Sequence, residues 1–202
     1  MNKKIKLMLI DGDGVAILSR QKFSENLKQD FGIGTDVTDD FFKHDFNDCL
    51  TGQKDMQDCL PKYLKKWGLK HSFSAILDYW FKSENSPNKR LLDYLQMLRK
   101  QGIVCCLATN QEKYRTCYVK ESMKFEHYFD HIYSSCDMGV KKPDPRFFEV
   151  ILKDYPNISK NQVMFWDDQL KNVQAGIAFG IQAQVYLDFP SFKLFMIRAT
   201  QN

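Results

Sequence analysis

Ile5-Lys6-Leu7-Met8-Leu9-Ile10, followed at once by Asp11-Gly12-Asp13-Gly14-Val15, is the stretch that decides the fold. Successive side chains of a strand point to opposite faces, so the unbroken apolar run from Leu7 to Ile10 predicts a strand buried on both sides. Such strands belong to parallel sheets covered by helices. Asp11 then falls at the carboxyl end of the strand, where open α/β sheets bind their ligands. Gly12 and Gly14 permit the sharp turn that follows, because glycine reaches backbone angles closed to other residues. A calcium loop of the D-x-[DN]-x-[DN]-G type is excluded, since its fifth, sixth and twelfth positions are here Val15, Ala16 and Lys22. Standing alone, two acids in a turn would be an ordinary solvated loop. Their meaning depends on how the later strands end.

Outward from this strand, residues 17–84 show no buried-strand pattern and helical spacing dominates. Phe23, Leu27 and Phe31 suggest a helix broken at Gly32 and Gly34. Met56, Leu60, Tyr63, Leu64 and Trp67 predict a second that stops at Gly68, and Phe73, Ile76, Leu77, Trp80 and Phe81 a third. Ser86-Pro87 then offers an N-cap and a first-turn proline for a helix carrying Leu91, Leu95 and Leu98. Beyond Gly102 the chain alternates. Strands are expected over 103–108, 131–134, 163–166 and 183–187; helices over about 112–122, from Asp144-Pro145 through Phe148, Val150, Ile151 and Leu152, over about 170–179, and near 192–199. The expected architecture is α/β, a doubly wound parallel sheet with right-handed crossovers. Residues 1–16 and 85–202 form its core, and 17–84 are a small helical domain inserted after the first strand. A chain of 202 residues accommodates one core with such an insertion, but not two average domains.

Composition narrows the function classes. The net charge of +4 is dispersed, with no long basic tract, which disfavours nucleic acid as a partner. The aromatics fall at helical spacing among aliphatics, as core residues do, rather than as a base-stacking platform. Six cysteines without a C-x-x-C pair, two of them in the strand over 103–108, read as reduced, mostly buried thiols rather than a disulfide framework. The four histidines (His44, His71, His127, His131) show no zinc-ligand spacing with them. The N-terminal apolar run is too short for a secretion signal and no segment is long enough to span a bilayer, so a soluble cytoplasmic protein with no membrane partner is expected.

Each later strand ends at polar groups suited to one task. The strand over 103–108 is followed by Thr109-Asn110, a hydroxyl and an amide able to donate to a phosphoryl oxygen, although the pair alone would serve as a helix cap. Lys142 stands ahead of Pro143-Asp144-Pro145, where a lone lysine would be solvated. Val163-Met164-Phe165-Trp166 ends at Asp167-Asp168, with Asn172 beyond; adjacent acids there would by themselves cap the next helix. In a parallel sheet all strand carboxyl ends share one edge, so Asp11, Asp13, Thr109, Lys142, Asp167 and Asp168 converge.

These four pieces resemble, in order, the four motifs of the haloacid dehalogenase superfamily: Asp11-Gly12-Asp13-Gly14-Val15, Ala108-Thr109-Asn110, Lys142-Pro143-Asp144-Pro145, and Asp167-Asp168 with Asn172. The insertion resembles the helical cap of members that carry it between the first and second motifs. Within them the chain is most similar to the sugar-phosphate phosphatase branch, including the phosphatase domain of some epoxide hydrolases. Ile10 stands where an aromatic often precedes the first aspartate, and no catalytic group is missing.

The resemblance implies a magnesium-dependent phosphatase acting on a small-molecule phosphate ester. Asp11 is then the nucleophile that becomes an aspartyl phosphate. Asp13 protonates the leaving oxygen and later takes a proton from water. Thr109, Asn110 and Lys142 bind the phosphoryl group. Asp11, the backbone oxygen of Asp13 and Asp168 hold magnesium, with Asp167 on a metal-bound water or on Lys142. A dehalogenase is disfavoured because its members lack the second acid. A phosphosugar mutase would keep every residue named, and a non-catalytic phosphate-binding protein would be expected to have lost one. Arg20, Lys43, His44 and Lys54 are the polar candidates for substrate contact from the insertion, each more usually a solvated helix residue. Oligomeric state is not fixed by the sequence.

Overall fold

The computed structural model describes residues 4–19 and 21–200. Five parallel strands form one sheet: β1 (Leu7–Ile10), β2 (Val104–Thr109), β3 (His131–Ser134), β4 (Val163–Asp167) and β5 (Gln182–Val185), in the spatial order β3-β2-β1-β4-β5. β1 is central, as its wholly apolar run requires. Leu7 and Leu9 turn to one face, where they meet Cys106, Phe165 and the helices α9 (Arg146–Lys153) and α10 (Leu170–Phe179). Met8 and Ile10 turn to the other, with Cys105, Leu107, Trp166 and the helices α6 (Lys89–Lys100) and α11 (Phe189–Thr200). The sheet is therefore covered on both sides, and its strands need no polar face.

Between β1 and α6 lie five helices: α1 (Phe23–Phe31), α2 (Thr35–Lys43), α3 (Asp45–Cys49), α4 (Met56–Lys66) and α5 (Phe73–Ser83). They enclose an apolar cluster of their own, built around Phe23, Phe41, Leu60, Trp67, Ile76 and Trp80. The chain leaves and re-enters the sheet domain side by side: Ile17 bridges Pro87, and the Leu18 amide donates to the Ser86 carbonyl at 2.8 Å. The remaining elements are α7 (Lys113–Cys117), which runs on as a π-helical turn over Tyr118–Ser122, and the short α8 (Ser135–Met138). Among the described residues no helix is long and apolar enough to cross a membrane, and all six cysteines are free.

Several boundaries differ from expectation. Ser86-Pro87 does not open α6, because both residues pair with the departing chain at Ile17 and Leu18. Asn88 is the cap instead, its Oδ1 accepting from the Leu91 amide at 3.4 Å. β5 stops at Val185, and α11 begins at Phe189, ahead of the expected 192. The helices α2, α3 and α8 had no periodic signature; α2, for example, buries only Thr38 and Phe41.

Asn88 also fixes the loop after β1. Its Nδ2 donates to the Val15 carbonyl at 2.9 Å and to the Tyr186 hydroxyl at 2.8 Å. Losing a helix cap and two buried hydrogen bonds predicts that Asn88→Ala is destabilised by about 2–3 kcal/mol in urea unfolding. Asn85→Ala, which loses one exposed bond to the Tyr118 hydroxyl, should cost less than about 1 kcal/mol. Equal losses from the two would contradict this account of the loop.

Candidate active site

Asp11 is the first residue beyond β1, and its amide still donates to the Trp166 carbonyl of β4 at 2.9 Å. The turn that follows closes on itself: the Ala16 and Ile17 amides both donate to the Gly12 carbonyl at 2.9 Å, and the Gly14 amide to the Ile17 carbonyl at 2.8 Å. Two glycines let this turn lie between neighbouring strand ends. A Cβ on Gly12 would stand 2.5 Å from Thr109 Oγ1, at the end of β2. Gly14 has φ +86°, and a Cβ there would stand 2.5 Å from Asp168 Oδ2, just past β4.

Lys142 is the centre of the constellation. It is 2% exposed, and its Nζ donates at 2.6 Å both to Asp11 Oδ1 and to Asp167 Oδ2. Its main chain is gripped by Asn110, whose Oδ1 accepts from the Lys142 amide and whose Nδ2 donates to the Lys142 carbonyl, each at 2.9 Å. Asn110 was expected among the phosphate-binding groups; the structure turns its amide to this clamp. Asp167 is buried, and besides Lys142 it accepts from the Gln169 amide at 2.8 Å and from Asn172 Nδ2 at 3.0 Å on both oxygens. Asn172 thus orients the carboxylate that orients Lys142. Asp168 is exposed.

Carboxylate oxygens of Asp11, Asp167 and Asp168 all lie within 4.8 Å of one another. One ammonium faces these three carboxylates. Burial pushes the Asp11 carboxyl well above the ordinary range, against the pull of Lys142 and with Asp167 adding to the rise. Asp168 is raised by partial desolvation of its carboxyl and by Asp167. Lys142 shifts the other way from a buried amine: burial lowers it, but Asp11 and Asp167 together raise it, so it stays charged. A cluster of hard oxygen donors with uncompensated negative charge fits a divalent cation such as magnesium.

The side chain of Asp13 stands apart from this cluster and is 55% exposed. Its Oδ2 accepts from Gln111 Nε2 at 2.6 Å, and Arg115 Nη2 lies 3.8 Å from its Oδ1. Sequence reasoning missed Gln111 and Arg115; their spacing of four, on the segment directly after Asn110, was the available signal. Of the insertion residues singled out, Arg20 lies outside the described residues. Lys43 pairs with Asp39, His44 with Asp40, and Lys54 with both Asp45 and Asp48, all within the insertion itself. The contacts that reach the sheet domain come from other residues: Asn47 accepts from Lys141, and Asp55 accepts from Lys113 at 2.8 Å and from the Tyr114 hydroxyl at 2.7 Å.

The haloacid dehalogenase-like hydrolase family matches residues 36–185 of this sequence, and the chain belongs to that family. Among solved structures it is similar to the HAD family enzyme bt-2542 of Bacteroides thetaiotaomicron, with a TM-score of 0.79 and 26% identity over 96% of this chain and 99% of that one. The same enzyme in complex with magnesium and inorganic phosphate matches with a TM-score of 0.77 at 26% identity, over 93% and 98% of the two chains. Among curated proteins, D-ribitol-5-phosphate phosphatase of Bacteroides thetaiotaomicron is 28% identical over 108 residues, 51% of this chain and 52% of that protein. Bifunctional epoxide hydrolase 2 of Sus scrofa is 29% identical over 125 residues, 60% of this chain and 21% of that protein. The chain spans about half or less of the curated relatives it matches.

Glu112 caps α7 beneath this site, accepting from the amides of Tyr114 and Arg115. Burial pushes its carboxyl from 4.5 up to about 7, partly offset by those two amides. A raised folded pKa means that the stability it contributes is complete below about pH 4.5 and is lost as pH rises through about 7. Glu112→Gln should therefore flatten the loss of stability between pH 5 and 8. Urea titrations at several pH values check this; parallel pH profiles for the two proteins would refute it.

Proposed function

We propose that this protein is a magnesium-dependent phosphatase that hydrolyses a small phosphorylated metabolite, a sugar phosphate by class, through an aspartyl phosphate on Asp11. The observation that carries the reading is the meeting of Asp11, Lys142 and the Asp167-Asp168 pair at one sheet edge, with a second, separately held acid, Asp13, two residues from the first. Membership in a hydrolase family supports it. So does the likeness to an enzyme crystallised with magnesium and inorganic phosphate, and to a phosphatase of a sugar-alcohol phosphate.

In this reading Asp11 attacks phosphorus in line. Asp13, which has one oxygen on Gln111, protonates the departing oxygen and then accepts a proton from the hydrolytic water. Lys142, fixed by two carboxylates and the Asn110 clamp, presents its ammonium to a phosphoryl oxygen beside Asp11, and Thr109 offers its hydroxyl from the end of β2. Asn110 acts by holding Lys142. Asp11, Asp168 and the Asp13 main-chain oxygen would hold magnesium. Bound there, it would offset the repulsion between carboxylate and phosphate dianion, about 4 kcal/mol per charge pair at 4 Å and an effective dielectric near 20. Residues 17–84 act as a cap that closes over the leaving group and sets substrate choice.

Asp11→Asn should reduce turnover of p-nitrophenyl phosphate to background, with the fold intact by circular dichroism. Asp13→Asn should release a burst of nitrophenolate, which leaves without protonation, and then turn over slowly because the hydrolytic water lacks its base. Near-normal turnover by Asp11→Asn, or uniform slowing of both phases in Asp13→Asn, would overturn these roles.

The paired acids should separate in metal binding. Asp168→Asn is expected to weaken magnesium binding by about 100-fold in calorimetric titrations with phosphate present, whereas Asp167→Asn weakens it about tenfold and lowers the melting temperature more. The reverse order would reassign the direct ligand.

A further inference from the structure

Asp13 can act as acid and base only if its side chain is delivered to the leaving oxygen, and two residues with no assigned role hold it. We infer that Gln111 and Arg115 are positioning residues for Asp13, and that Arg115 ties its placement to the point where the helical insertion rejoins the sheet domain. The inference rests on the role of Asp13 in the proposed phosphatase reaction.

Gln111 is itself anchored through its main chain. Its amide donates to Ser135 Oγ at 3.1 Å, and its carbonyl accepts from Ser134 Oγ at 3.1 Å, from Ser135 Oγ at 3.3 Å and from the Cys136 amide at 3.3 Å. Four hydrogen bonds to three residues anchor the main chain from which Nε2 reaches Asp13 Oδ2 at 2.6 Å. From the first turn of α7, Arg115 approaches the other oxygen of the same carboxylate.

Arg115 is 3% exposed, a position that a surface arginine would not occupy by default. Its guanidinium lies against the rings of Phe81 and Tyr118, 5.3 and 5.6 Å from their centroids. Nη1 donates to the Phe81 carbonyl at 3.2 Å and Nη2 to the Glu84 carbonyl at 3.3 Å, so it binds the end of α5. Glu84 Oε2 lies 3.8 Å away, while Glu84 Oε1 accepts from the Phe23 amide at 2.8 Å, at the start of α1. The start of α1 and the end of α5 therefore meet at Glu84, which Arg115 contacts. Nε of Arg115 has no hydrogen-bond partner among the described residues. A buried guanidinium with an unsatisfied donor is poor stabilisation, and its contacts make sense as a link. When the end of α5 moves relative to β1, the groups that bind Nη1 and Nη2 move with it, and the charge beside Asp13 moves too.

Gln111→Leu, Arg115→Met and Arg115→Lys are compared with Asp13→Asn in rapid-quench assays with p-nitrophenyl phosphate and magnesium. Gln111→Leu and Arg115→Met should each show a nitrophenolate burst larger than that of the wild type, then steady turnover slowed about 10- to 100-fold with KM falling in parallel, so that kcat/KM changes less than about threefold; Arg115→Lys should recover most of the loss. Hydrogen exchange should quicken over residues 81–88 in Arg115→Met but not in Gln111→Leu. If Arg115→Met does not fold, Arg115→Lys and Gln111→Leu carry the comparison through their bursts. A burst in Asp13→Asn with none in the positioning variants, or losses that merely follow the folded fraction, would overturn this inference and leave the phosphatase reading standing. No burst in Asp13→Asn would overturn the role of Asp13 and the inference with it.

Discussion

A single buried ammonium holds the strand ends of this protein together. Asp11 and Asp167 follow and end the adjacent strands β1 and β4, and their carboxylate oxygens share a space less than 4.8 Å across with Asp168. Two unit charges at that distance repel by about 3–4 kcal/mol at an effective dielectric near 20. Lys142, at 2.6 Å from each of two oxygens, offsets that repulsion. Take the ammonium away and two buried carboxylates are left without their cation, a change of the kind that costs about 3–5 kcal/mol. The pair of contacts is better understood as a device for placing charge than as a source of stability.

The placement of Lys142 depends in turn on strand order. It arrives from the loop between α8 and α9, outside the sheet, and is caught by Asn110 at the end of β2. Because β1 lies between β2 and β4, one lysine held from β2 reaches the acids of both other strands. Gly12 completes the closure, since the absence of a Cβ lets the turn after β1 lie against Thr109. A further strand placed between β1 and β4 would separate their acids by an added spacing of about 5 Å.

The strands and their terminal acids were legible in the sequence because both depend on local pattern. A strand buried on both faces must be a run of apolar residues, and β1, β2 and β4 are such runs. Helix α4 showed itself through Met56, Leu60, Tyr63 and Leu64, all buried at its inner face. Helix α2 did not, because its buried side is only Thr38 and Phe41. Asn110 and Arg115 illustrate a different limit. Their partners are Lys142, 32 residues away, and Phe81 and Glu84, 34 and 31 residues away, and no spacing rule connects them. Polar contacts between distant segments depend on the assembled geometry, whereas residue types at strand ends do not.

The way the insertion meets the sheet domain bears on its proposed action as a cap. Its apolar residues are gathered in its own cluster, with only the rings of Tyr114 and Tyr118 added from the other side. The remaining links are polar and individual: Lys141 to Asn47, Lys113 and Tyr114 to Asp55, Arg115 to the end of α5. A joint made of large apolar faces resists separation, while exposed ion pairs contribute only about 0–1 kcal/mol each and re-form readily. The contacts with Lys113, Tyr114 and Arg115 all come from α7, the helix that starts two residues after Gln111. Opening at this joint would therefore bear on the helix that carries Arg115, 3.8 Å from Asp13, so substrate entry and the charge beside the proposed acid would be set by the same few side chains.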